Sequence, residues 1–244
     1  MSVTVVPVET GTTARDRRGG IDRGTALLAG VAALVAAAAL VLGVTTPARA
    51  GVFCLSGCVG FPYTDVAAFV PRDYVWMYPA LLAALLVPAL VTAVAFRVRS
   101  GLRPVAAVAA VLAVVGATVL VVDYAVQLMV VQPALLAGQP DGLVAWSQYN
   151  PHGLFLALEN VGYAVFGAVF VLLGVALTGL PGAFTRIARA VLLAGGGLIV
   201  VALVVLTAVY GAALDVRFEV TGLTLALLVL VLAGGLLAVP RPRR

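Results

Sequence analysis

The sequence predicts an all-α, polytopic membrane protein with six transmembrane helices and both termini cytoplasmic, and three observations carry that prediction. Hydrophobic residues make up 63% of the 244-residue chain and charged residues 10%, whereas soluble domains are about half apolar and about a quarter charged. Six charge-free runs occur: Gly24 to Ala48, Tyr74 to Phe96, Pro104 to Val122, Asn160 to Thr185, Ala190 to Leu214 and Val220 to Pro240. Each matches the roughly 20 helical residues that cross a hydrocarbon core of about 30 Å. All 15 basic residues are arginine, and twelve fall before the first run, between the second and third, between the fourth and fifth, or after the sixth. Only Arg49, Arg72 and Arg217 lie on the other side, so the bias of cytoplasmic loops toward positive charge orients the chain. The predicted spans are 24–44, 74–96, 104–126, 152–178, 190–212 and 219–239. They form one domain over 21–240, between a disordered cytoplasmic tail at 1–20 and a basic tail at 241–244.

The tail at 1–20 is polar and lacks an apolar period. The first run is longer than the 7 to 15 apolar residues of a cleaved signal, so it reads as a retained helix although Ala48-Arg49-Ala50 resembles a cleavage site. The loop that follows holds both cysteines, Cys54 and Cys58. A disulfide suits an oxidising extracytoplasmic space. Two alternatives remain open: a lipid on Cys58, since Leu55-Ser56-Gly57-Cys58 has the form of a lipoprotein box, or two unpaired thiols. One cysteine pair and one histidine seldom complete a four-ligand metal site, so no metal and no cofactor is predicted.

The second span opens with Arg72, Asp73, Tyr74, Trp76 and Tyr78. The aromatics suit the headgroup level, and Arg72 and Asp73 are placed to pair. Pro79 and Pro88 each remove a backbone donor and are candidate bends. In the third span, Asp123 and Gln127 share a helix face at the outer boundary. They read either as solvated residues at a helix end or as part of a ligand site, with 125–137 as an interfacial or protruding segment.

The fourth span is the one around which the other five are expected to pack. Asn150 as cap and Pro151 at the first helical position predict a helix starting there. Steps of three and four from His152 then reach Leu156, Glu159, Tyr163, Phe166 and Phe170 on one face. Glu159 is either an interfacial carboxylate in headgroup water or a buried polar group, which lipid tolerates only when it is hydrated, paired or protonated. Gly162, Gly167 and Gly174 would admit a close helix neighbour. Gly195-Gly196-Gly197 and Gly234-Gly235 read as packing features, because no Lys-Ser or Lys-Thr pair follows to bind phosphate. Asp215, Arg217 and Glu219 are placed in an outer turn. No internal repeat is evident.

An enzyme is disfavoured. There is no Gly-x-Ser-x-Gly elbow, no His-Glu-x-x-His and no second histidine, and Ser147 with His152 is a weak pair. The net charge of +5 is spread over short flanks rather than a basic stripe, so no nucleic-acid partner is predicted. What remains is the gathering of Arg72, Asp73, Asp123, Gln127, His152 and Glu159 at one end. This predicts an outward-facing polar pocket for a small solute or ion, as in a transporter. Arg72 would be the counter-ion, Glu159 or Asp123 the proton or cation acceptor, and His152 a titrating partner. The alternative is a structural or accessory protein that binds a partner membrane protein through helix contacts and takes no ligand.

The segments PRDYVWMYPALL (Pro71–Leu82) and YNPHGLFLALENVGY (Tyr149–Tyr163) resemble a family of small bacterial polytopic membrane proteins to which no activity is attached. They cover about a ninth of the chain. The resemblance implies a six-helix integral membrane protein, with Arg72, Asp73, Asn150, His152 and Glu159 in the recurring segments. The arginine-only, alanine- and valine-rich composition suggests a high-GC bacterium. The lipid bilayer of a bacterial cytoplasmic (plasma) membrane is therefore the expected surrounding.

Overall fold

The computed structural model describes residues 21–63 and 65–239. The tails read as disordered (1–20) and basic (241–244) lie outside the described residues. Among the described residues all regular structure is helical, and six helical stretches are long and apolar enough to cross a membrane. The chain therefore has the build of a multi-pass membrane protein.

Helix α1 (Arg23–Thr45) starts at Asp22, whose side chain accepts from the Thr25 amide at 3.1 Å, satisfying one of the orphan donors of a helix start. Its buried face is a stripe of small residues, Ala29, Ala32, Ala33, Ala36 and Ala39. Helix α2 (Met77–Ala95) follows a 3-10 turn over Arg72–Tyr74. Arg97 beyond its end pairs with Asp22, tying the start of α1 to the end of α2. Helix α3 (Arg103–Val126) runs through a π-helical turn (Gln127–Val131) into α4 (Gln132–Leu136), giving one continuous helical stretch. Helix α5 (Leu154–Ala176), α6 (Ala183–Tyr210) and α7 (Arg217–Ala238) complete the bundle.

The helices close into a ring in the order α1, α2, α3, α5, α6, α7 and back to α1, with α5 also touching α7 inside α6. Helix α5 thus packs on α3, α6 and α7. The expectation that all five other spans surround it is corrected, because α1 is held between α2 and α7. Glycines set these approaches, as the sequence suggested. A Cβ on Gly162 would meet Leu120 at 2.5 Å, one on Gly174 would meet Leu193 at 2.8 Å, and one on Gly196 would meet the Gly167 carbonyl at 2.6 Å. Helix α6 is the least enclosed, and Leu198, Val201, Val204, Val205 and Val209 lie exposed along it, as lipid-facing residues would.

Several boundaries differ from the expected ones. Helix α5 begins at Leu154, not at Asn150. The Asn150 side chain is occupied by a local turn, accepting from the His152 amide at 3.0 Å and donating to the Val144 carbonyl at 2.9 Å. Residues 125–136 continue the helix, as a protruding segment would, rather than lying along an interface. Helix α6 reaches back to Ala183 and takes Arg186 and Arg189 into its first turns, since long arginine stems can lift their heads to water.

At the arginine-rich end α1 and α7 are in close contact. A Cβ on Gly234 would lie 2.8 Å from the Ala29 carbonyl, and one on Gly30 would lie 3.3 Å from Ala238. At the arginine-poor end they stand apart, and a Cβ on Gly43 would meet nothing within 4 Å.

Candidate functional site

Three carboxyl groups on three helices gather near the arginine-poor end. Asp123 continues the buried face of α3 that runs through Ala106, Ala109, Ala113, Ala117 and Leu120. Glu159 lies in the second turn of α5, on the buried face with Leu156, Tyr163, Phe166 and Phe170. Glu219 lies in the first turn of α7, where an acidic side chain is favoured by the helix dipole. Asp123 is 1% exposed, Glu159 0% and Glu219 9%.

Their hydrogen bonds are incomplete. The Tyr124 hydroxyl donates to Glu159 Oε1 at 2.6 Å and lies 2.5 Å from the Tyr163 hydroxyl. A hydroxyl has one proton to donate, so Tyr163 donates to Tyr124 and Tyr124 to Glu159. Trp76 packs edge-on against Tyr124, with ring centroids 5.5 Å apart, and closes this corner. Glu159 Oε2 and both Asp123 oxygens have no donor. Glu219 lies within hydrogen-bonding reach of Glu159. Among the described residues no cationic side chain acts on the three, so their counter-charge must come from protons or a bound cation. They do not converge as metal ligands would.

Glu219 also borders a cavity of about 270 Å³ in the gap between α1 and α7. Its walls include Gly43 and Val44 of α1, Leu223 and Leu227 of α7, and the side chains of Arg49, Asp73 and Tyr149. Asp73 is 1% exposed. Its Oδ2 accepts from Arg49 Nε at 3.1 Å and from the Tyr149 hydroxyl at 3.0 Å, while Oδ1 has no donor. Arg49 also stacks 3.9 Å above the Phe69 ring. Burial, with Tyr74 and Asp73 nearby, pushes the Tyr149 phenol far above its usual range, so it remains a donor. A Cβ on Gly51, at φ +66°, would strike Asp215 and Val216 at 2.6–2.7 Å, so only glycine lets the α1–α2 loop seat against the α6–α7 turn.

The remaining candidates are placed as follows. Asp73 pairs with Arg49, not Arg72, because the 3-10 turn sends neighbouring side chains apart. Arg72 is exposed and donates to the Thr45 carbonyl at 3.4 Å. Gln127 is buried, donating to the Trp146 carbonyl at 2.5 Å, so neither it nor Asp123 is a solvated helix end. His152 is exposed in the turn before α5 and lies apart from the cluster and the cavity. Of the aromatics assigned to the headgroup level, Tyr74 and Trp76 are buried and only Tyr78 is exposed. Cys54 and Cys58 form a disulfide, so the Cys58 sulfur is not free for a lipid.

Sequence reasoning missed Arg49, Tyr149 and Glu219. Stepping from Glu219 by threes and fours gives Gly222, Ala226, Leu230, Ala233 and Leu237, all buried. The signal that found Glu159 was thus present on α7 as well. No protein-family model matches the chain, and neither curated proteins nor solved structures give a significant match, so no family is assigned from them.

Proposed function

We propose that this protein sits in a bacterial cytoplasmic membrane with both termini inside, and binds a small organic cation in an outward-facing pocket, in the manner of a transporter. The observation that carries this reading is the cavity between α1 and α7, bordered by two carboxyl groups and one arginine. Asp73 and Glu219 outnumber Arg49 there, and Asp73 Oδ1 is still without a donor. Its size of about 270 Å³ falls just below that of most ligand pockets, which run from roughly 300 to 1,000 Å³, and so suits a small ligand. Apolar walls with Trp76 and Phe53 suit a cation with an apolar body, which aromatic faces attract. The arginine distribution supports the outward direction, and a disulfide in the first loop fits an oxidising compartment. Because α1 and α7 stand apart at this end, a ligand has a lateral way in as well as one past the loops.

The test uses purified protein with benzyltrimethylammonium as probe and benzoate as its counter-probe. The cation raises the unfolding temperature in a concentration-dependent way and benzoate does not, since a ligand at 100 times its Kd stabilises by about 2.7 kcal/mol. Gly43→Phe fills the cavity without a clash at Cβ, so it keeps wild-type stability and loses the response. A cation response that survives Gly43→Phe places binding elsewhere. No response to any small cation refutes the reading.

A further inference from the structure

We propose that the Glu159–Glu219 carboxyl pair, with Asp123 beside it and the Tyr163–Tyr124 relay behind it, is a proton-binding site that opens on the cavity through Glu219. The argument starts from hydrogen-bond chemistry. Two carboxyl groups within bonding reach of each other are joined only when one carries a proton, because a carboxylate is acceptor-only. One Glu159 oxygen is already held by Tyr124, leaving the other without any donor except a proton on Glu219 or on Glu159 itself. Asp123, buried and with neither oxygen partnered, faces the same two groups from α3. Its charge adds to theirs, which further favours a proton on the pair.

The surroundings supply no alternative. Arg49 is engaged by Asp73 across the cavity. Arg217, two residues from Glu219, turns away over the Tyr210 ring at 4.2 Å and donates to the Ala213 carbonyl at 2.8 Å. The other arginines of α1 and α6, which are Arg23, Arg186 and Arg189, are at the opposite end of their helices. Tyr78 of α2 is exposed. The three carboxyls do not converge as a metal site would, which leaves the proton as the ligand.

Glu219 belongs to both the pair and the cavity wall, so the two sites compete for its charge. A cation that settles against Glu219 favours its carboxylate. The O–H bond of the pair then breaks, and the proton leaves through the cavity to water. Cation entry and proton exit are thereby exchanged at one side chain. This last step rests on the cavity being a cation pocket; the proton site does not.

Infrared spectroscopy of the ligand-free protein in lipid nanodiscs tests the proton site. At neutral pH, where exposed carboxylates are ionised, wild type shows a carboxylic-acid C=O band that shifts in deuterium oxide. Glu219→Gln and Glu159→Gln each diminish it, while the exposed control Asp141→Asn does not. Absence of the band in wild type overturns the proposal without recourse to any variant, and so does an undiminished band in both glutamine variants. The coupling is read with a pH indicator in weak buffer. Benzyltrimethylammonium releases a proton from wild type and none from Glu219→Gln. Cation binding without proton release overturns the exchange. A carboxylic-acid band with no cation binding overturns the pocket instead and leaves the proton site standing.

Discussion

Three consecutive glycines on α6 meet three different surroundings, and comparing them isolates helix contact from helix propensity. A Cβ on Gly196 would stand 2.6 Å from the Gly167 carbonyl, 2.9 Å from Phe170 Cβ and 2.9 Å from the Val171 amide nitrogen, short of the 3.4 Å at which ordinary contact begins. Two of those atoms are backbone, so relief requires α5 and α6 to separate by most of an ångström. Such overpacking costs about 1–3 kcal/mol. On Gly197 the same Cβ meets nothing within 4 Å, and alanine there gains about 0.5–1 kcal/mol of helix propensity. The propensity gain is common to both substitutions, so Gly197→Ala is expected to exceed Gly196→Ala in stability by about 1–3 kcal/mol, the overpacking cost alone. Gly195→Ala falls between them, because its obstacle is the movable end of Val229 at 2.1 Å. Thermal or SDS-induced unfolding in mild detergent reads the order. Equal stability of the Gly196 and Gly197 variants would refute the close α5–α6 packing from which the bundle is argued.

Three further outcomes follow from the loops and helix ends. Asp73→Ala strands a half-buried guanidinium and removes the acceptor for Tyr149, at a cost of about 3 kcal/mol. Unfolding of the single variant and of Asp73→Leu with Arg49→Leu should show the double variant losing less. The Cys54–Cys58 bridge closes a loop with a sequence separation of only 4, so the double serine variant loses at most about 2 kcal/mol. Thiol alkylation should label the native protein only after reduction. Asp22 is held below its usual pKa by the Thr25 side-chain hydrogen bond first, with Thr25's amide and Arg97 assisting. Its stabilisation is therefore complete above the unfolded carboxylate value of 3.8 and is lost as the pH falls through the lower folded value. Asp22→Asn should flatten that acid limb of the unfolding-temperature profile and lower its neutral-pH plateau, where the wild-type stabilisation is complete.

Six spans could be read from the sequence because membrane helices announce themselves by unbroken apolar length, and Glu159 because it interrupts one. The ring order could not, since alanine- and valine-rich faces all look alike until Gly167 is seen against Gly196. The helix start at Leu154 was hidden because Asn150 and Pro151 form an equally good turn signal. Glu219 looked like a loop residue because charge-free runs end at the first charge, whereas a helix buried in protein can admit a carboxyl in its first turn. Arg49 and Tyr149 come from two loops a hundred residues apart in the chain, and only the third dimension brings both to Asp73.

The π-helical turn over Gln127–Val131 gives that stretch one residue more than a regular α-helical path between the same two points would use. Excising Met129, whose side chain is 73% exposed, should let the backbone re-form as regular α-helix, with Asp123 and Leu135 each keeping its present direction. The extra residue is then a removable insert, and whatever the protein loses when it is cut out is what that insert was retained to supply.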